Sequence, residues 1–263
     1  MRIVVCIKQI LDPEIPPRDF RLDPAAKKAL KGAAALVINP FDENAIEVAL
    51  QLKDRQGDTV VTALNLAGEA GDKALRRALS MGCDEAVWLK DPLFEGLDSF
   101  GVATVLALGL KKIGVPEIVL CGRQAGDWDM SQVGSLLAEE LSIPCIAVVS
   151  QIGSQDGRTT VKREVEKGVE LLETRLPFLA TVTSASNNQP RYPTAKGILA
   201  SMRKKILALS AQELQITEKI PARVLLEDLT IPNYDREIKI IDGEDGLEKA
   251  ANLVQHLVAM KAI

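Results

Sequence analysis

The sequence predicts an α/β fold, a doubly wound parallel sheet with an added β-hairpin and an extended C-terminal arm. Three observations predict it. Short apolar runs alternate with helical segments through the first 150 residues. From Ser150 this gives way to a two-residue period around a glycine turn. Beyond Leu207 the chain is irregular, with Pro221 and Pro232, until a last amphipathic segment.

Ile3 to Ile7 is a continuous apolar run, as expected of a strand buried on both faces. A Pro-rich loop with Pro13, Pro16, Pro17 and Pro24 follows and ends near Val37. Asp42 is placed to cap a helix carrying Ala45, Ile46, Ala49, Leu50 and Leu52, which Gly57 ends. Thr59 to Leu66 reads as the second strand. Asp72 to Met81 reads as a helix closed by Gly82, and Glu85 to Leu89 as the third strand. Asp98 caps a helix through Ile113, stopped by Gly114 and Pro116. Val115 to Leu120 is the fourth strand, and Cys145 to Val149 the fifth. Thr159 to Val165 and Val169 to Leu176 alternate around Gly168 as a hairpin, with Phe178 to Thr183 as a further strand. Ser184 to Gly197 is polar and proline-broken and reads as a surface loop. Ile198 to Ile206 is helical, Leu207 to Asp242 irregular, and Gly246 to Lys261 a final amphipathic helix. A long irregular segment inside a compact chain suggests an arm that lies on another subunit.

Bulk properties narrow the function. The 263 residues carry a net charge of -4, which argues against a general nucleic-acid binder. No apolar run is long enough to span a membrane, and the N-terminus lacks a cleavage signal, so the cytoplasm is expected. Cys6, Cys83, Cys121 and Cys145 form no C-x-x-C pair and read as small buried hydrophobes in a reducing compartment. With His256 the single histidine, a His-based metal site or Ser-His-Asp triad is not expected. No residue is assigned as catalytic.

The most informative stretch runs from Cys121 to Pro144, fed by the apolar run Glu117 to Leu120. An apolar strand feeds a polar loop, Gly122 to Gln132, and then a helix whose apolar face is Val133, Leu136, Leu137 and Leu141. Strand, loop and helix N-terminus in that order suit an anionic ligand, because the first helical turn has free N–H groups and a positive dipole end. Gly122, Gly126 and Gly134 allow close backbone approach. Asp127 and Asp129 read as helix caps or as acceptors from ribose hydroxyls and loop N–H groups, more readily than as metal ligands. Ser131 and Gln132 can donate to phosphate oxygens, and Trp128 can stack on a ring or pack the loop. Cys6 to Gln9 and Asn65 to Gly68 should converge on the same sheet edge.

These segments together resemble the beta subunit of electron transfer flavoproteins over nearly the whole chain. The resemblance rests on VVCIKQILD (4–12), NPFDENAIEVALQLKD (39–54), ALRRALSMGCDEA (74–86), GRQAGDWDMSQVGSLLAE (122–139), VKREVEKGVELLETRLPFLATV (161–182) and PRYPTAKGI (190–198). It implies an adenine-nucleotide-binding α/β domain at 1–206, including a recognition loop at 184–205. It also implies an arm at 207–263 that contacts a larger alpha subunit. FAD would be held mostly by that large subunit, with Phe41 near its flavin ring. The pocket of the small subunit would be lined by Cys6, Asn39, Pro40, Phe41, Asp42, Leu66, Gly122, Arg123, Gln124, Ala125, Gly126, Asp127, Trp128, Asp129, Met130, Ser131, Gln132 and Val133. It would take AMP or, as in electron-bifurcating members that oxidise NADH, a second FAD. Asp127, Asp129, Gln132, Val133 and Gly134 also suit the bifurcating members.

The implied function is electron carriage from a flavin dehydrogenase, such as an acyl-CoA dehydrogenase, to a quinone reductase or other acceptor. Pro190, Arg191, Tyr192, Ala195, Lys196 and Leu199 would meet the dehydrogenase, with Ala195 standing where relatives often present a large aliphatic residue. An ATP pyrophosphatase of similar fold needs a glycine loop after the first strand, and CIKQILD has none.

Overall fold

The computed structural model describes residues 1–32, 34–68, 71–155, 158–232 and 238–263. Residue 33 of the Pro-rich loop and residues 233–237 of the irregular stretch lie outside them. Two compact units are present, Met1–Glu227 and Asp228–Ile263.

In chain order the first unit runs β1 (Arg2–Ile7), β2 (Gln9–Leu11), β3 (Arg21–Asp23), β4 (Lys28–Leu30), β5 (Leu36–Ile38), α1 (Pro40–Gln56), β6 (Val60–Leu66), α2 (Gly71–Met81), β7 (Glu85–Leu89), α3 (Ser99–Ile113), β8 (Ile118–Gly122), α4 (Val133–Leu141), β9 (Cys145–Gln155), β10 (Arg158–Val165), β11 (Gly168–Thr174), β12 (Phe178–Val182), α5 (Ala195–Arg203) and β13 (Leu207–Leu209). The second unit holds α6 (Gly246–Ala259), capped by Asp245.

Among the described residues thirteen strands fall into three sheets. The main one has nine strands in the order β11-β10-β9-β12-β8-β1-β6-β7-β13. Along that order every neighbouring pair from β9 to β13 is parallel, while β10 runs antiparallel to both of its neighbours, β9 and β11. The fold class is the expected one. The Pro-rich loop departs from expectation, because it is stitched by two short antiparallel pairs, β2–β5 and β3–β4. Three-residue strands give too few alternating positions to show a period of two. Leu207–Leu209 is likewise not irregular. It pairs with Val87–Leu89 as the edge strand of the main sheet.

Alternation along β1 assigns the two faces. Ile3, Val5 and Ile7 join Ile46, Leu50 and Leu75 in a core under α1 and α2. Val4 and Cys6 join Leu106, Leu110 and Leu137 in a second core under α3 and α4. Helices on both faces of a parallel sheet bury its central strands completely, which is why β1 and β8 read as unbroken apolar runs.

The strand order also locates the crevice. From β1 the chain proceeds outward through β6 and β7, then returns to place β8 on the other side of β1. The loops leaving β1 and β8 therefore part in opposite directions, and a cleft opens at their carboxyl ends. Lys8 follows β1 there, and the Gly122–Gln132 loop follows β8.

Candidate functional site

The cleft is built on the first turn of α1. Asn39 precedes the helix and Pro40 takes its first position, where a missing N–H is no loss. Asp42 does not cap the helix as its sequence position suggests. It lies within the first turn, 5% exposed, and its carboxylate reaches across the sheet ends. Oδ2 accepts the Lys8 backbone N–H at 2.7 Å, and Oδ1 accepts the Gly122 N–H at 2.9 Å. One side chain thus ties the carboxyl ends of β1 and β8 to α1. Burial pushes this carboxyl up to about 7, and the Lys8 and Gly122 donors pull it only part of the way back.

Asn39 holds the loop itself. Its Nδ2 donates to the Gln124 carbonyl at 2.7 Å, and its Oδ1 accepts the Gly126 N–H at 3.1 Å. With 1% exposure it is a buried amide with both ends used. The acids of the loop are occupied too. Asp127 receives Lys8 Nζ on both oxygens, at 2.8 and 2.7 Å, and Asp129 accepts from the Gln124 amide. Neither caps α4, whose N-cap is Gln132 and makes no side-chain capping bond. Asp129 and Ser131 adopt left-handed backbone with φ of 54° and 55°. Trp128 and Met130 stay about half exposed, so Trp128 does not pack as a lid.

Two of the three loop-region glycines have a packing reason. A Cβ on Gly122 would overlap the Asp42 carboxylate and come within 2.8 Å of the Phe41 carbonyl carbon. A Cβ on Gly134 would overlap the Thr181 methyl. Gly126 has room, its nearest neighbour being Ile10 Cδ1 at 3.5 Å. The close approach at Gly122 and Gly134 is therefore that of the protein's own α1 and β12.

Arg123 lies over the Phe41 ring, Cζ 4.7 Å from its centroid, and its Nε is buried with no hydrogen-bond partner. Cys6 and Cys121 are buried side by side, and the Cys6 thiol together with burial pushes the Cys121 thiol well up, so Cys121 is not a reactive thiolate. Cys145, expected to be buried, is exposed where β9 begins. Among the described residues no group of three or more His, Cys, Asp or Glu side chains is placed to hold a metal ion. No described helix is long and apolar enough to cross a membrane.

The electron transfer flavoprotein domain matches residues 30–214. The electron transfer flavoprotein subunit beta of Thermoanaerobacterium thermosaccharolyticum is 35% identical over 264 residues, 98% of each chain. The chain belongs to the electron transfer flavoprotein family, as a beta subunit. Subunit CarD of the caffeyl-CoA reductase-Etf complex of Acetobacterium woodii is 35% identical over 82% of this chain and 81% of its own. Protein FixA of Azorhizobium caulinodans is 36% identical over 81% of this chain and 76% of its own.

A beta subunit of this family works beside an alpha subunit in a flavin-binding assembly. Two observations at the cleft suit an anionic group. The N-terminus of α4 has no side-chain cap, and Arg123 carries a buried donor without an acceptor. Asn39 and Asp42 stand beneath the loop instead of facing the cleft with free polar groups. Lys8 lies in the Cys6 to Gln9 segment that the sequence brings to this edge, but only Cys6 of that segment is singled out there as a pocket residue. As the first polar residue after β1, Lys8 was the one signal available.

The second nominated segment is not the wholly solvated loop its composition suggests. Asn188 is completely buried. Its Nδ2 donates to the Thr183 carbonyl at 2.8 Å and the Ser150 carbonyl at 3.2 Å, and its Oδ1 accepts the Ala185 N–H at 2.8 Å. Arg191 is spent on α1, its Nε 2.8 Å from Glu47 Oε2 and its Nη2 2.8 Å from Asp54 Oδ2. Tyr192 and Leu199 are left exposed, as are Ala195 and Lys196.

Proposed function

We propose that the chain is the small subunit of a heterodimeric electron transfer flavoprotein that carries electrons from a flavin dehydrogenase, of acyl-CoA type, to a quinone reductase or other acceptor, with an AMP in the cleft at the carboxyl ends of β1 and β8. The carrying observation is the loop after β8. It is clamped from below by Asn39 and Asp42, its acids are already paired, and the first-turn N–H groups of α4 are left without a side-chain cap. Lys8 offsets the charge of Asp127, and the Gln124 amide turns the Asp129 carboxylate to its own use, which lowers the repulsion a phosphate would meet at the loop. FAD, held mainly by the large subunit, supplies the redox chemistry. This chain shapes the edge of that assembly, and a bound AMP would stabilise the loop by mass action.

A second reading keeps the same cleft and fills it with a second FAD, as in electron-bifurcating members that oxidise NADH. It is favoured by the similarity to CarD, named for a caffeyl-CoA reductase complex, and by Asp127, Asp129 and Gln132 in the loop.

Acid release of nucleotides from the purified heterodimer, with chromatography against standards, tests both readings. One FAD and one AMP per heterodimer supports the carrier. Two FAD and no AMP supports the bifurcating form. A single FAD with no second nucleotide removes the cleft assignment altogether.

A further inference from the structure

Arg191 is the cation that sequence nominates for contact with an electron donor, yet its guanidinium is already committed. Nε and Nη2 reach the two Glu47 oxygens at 2.8 and 3.0 Å, and Nη2 also reaches Asp54 at 2.8 Å. The Arg191 backbone N–H adds a bond to Glu47 at 3.2 Å. Glu47 is 6% exposed, so the acid is buried and the arginine is its counterion. With two carboxylates on one guanidinium, the locus carries no net positive charge to offer an acidic partner surface.

The surroundings show what the ion pair does. It fixes the chain four residues before α5, while the wholly buried Asn188 fixes it three residues earlier still. At the other end of α5, Arg76 Nη1 donates to the Ser201 and Lys204 carbonyls at 2.6 and 2.7 Å. Gly197 rests on the Ser80 carbonyl, where a Cβ would come within 2.6 Å. Between these anchors α5 holds Ile198, Leu199 and Met202 out at 43%, 63% and 67% exposure. We propose that Arg191 is a positioning residue and not a docking contact: its ion pair with Glu47 and Asp54 sets where α5 presents its apolar face, and that face engages the donor. This rests on reading residues 184–205 as the donor-docking segment.

The test uses the FAD-loaded heterodimer and an acyl-CoA dehydrogenase with its acyl-CoA. Two readouts are taken, the apparent KM for the dehydrogenase over a salt series and hydrogen exchange of residues 195–203. Arg191→Ala should speed exchange there and raise KM about tenfold, with the salt slope unchanged. Arg191→Lys should recover part of both. Glu47→Gln should resemble Arg191→Ala, because it releases the same anchor. A docking cation predicts the reverse, since removing Glu47 charge would free the arginine and lower KM. Unchanged exchange in Arg191→Ala, or a lowered KM in Glu47→Gln, overturns the positioning role. Leu199→Glu judges the docking reading separately. If it leaves KM unaltered while Arg191→Ala still loosens 195–203, the docking segment is misassigned and the anchor stands.

Discussion

At the scale of single residues, Asp42 carries more of the site than any side chain that faces the cleft. Its two oxygens serve two different strand ends. Asp42→Asn keeps the shape but offers one acceptor and one donor, so one backbone N–H is left facing an NH2 group. The expected loss is about 2 kcal/mol, read by chemical denaturation. The pH dependence has a definite sign. Burial lifts the folded value from 3.8 to about 7. A raised carboxyl contributes its stability fully below the unfolded value and loses it as pH rises through the folded one. The advantage of the native protein over Asp42→Asn should therefore be largest below about pH 4, shrink as pH rises from there to about 7, and level off above it. A gap that widens with pH would show that Asp42 is ionised throughout, held so by its two N–H donors. None of this was visible in NPFD read alone. The partners of Asp42 lie 34 and 80 residues away, and local sequence shows only a residue type suited to a helix start.

At the scale of elements, the sequence was most legible where one physical signal dominates. The central strands were found because burial on both faces forces an unbroken apolar run, and α3 because Asp98 caps it, accepting the Gly101 N–H at 2.8 Å. The hairpin is legible because its residues alternate around Gly168, although only β10 turns one face to the core and β11 is exposed along most of its length. β13 is not legible in the sequence because a three-residue edge strand owes its conformation to β7 and not to its own period. The loop after β8 was located correctly, yet its glycines are not equivalent. Gly122→Ala drives a methyl into Asp42 and Phe41 and should cost about 3 kcal/mol through overpacking and the lost Asp42 bond. Gly126→Ala meets only ordinary van der Waals contact and should stay within about 0.5 kcal/mol of the native protein. Thermal melts of the two variants check the pair. Equal losses would mean that the α1 turn does not support the loop.

At the scale of the whole molecule, the two units differ in kind. Both buried cores lie within Met1–Glu227, whereas no described residue of Asp228–Ile263 is buried. A segment of about 36 residues cannot bury enough apolar surface to fold by itself. Yet α6 is well formed, capped by Asp245, with Leu247, Val254 and Val258 along one side at 82%, 51% and 55% exposure. An amphipathic helix with its apolar side uncovered is stable only against another surface. For a beta subunit that surface is expected on the large subunit, and the arm would then act as a clasp. In hydrogen exchange, residues 246–259 of the chain alone should exchange fast and become protected once the large subunit is added. Val254→Asp should weaken heterodimer assembly by about 2 kcal/mol, with the melting of the isolated chain unchanged. If assembly protects the main unit and leaves these amides exchanging freely, the arm has no part in the interface, and its apolar side must be covered by something other than the alpha subunit.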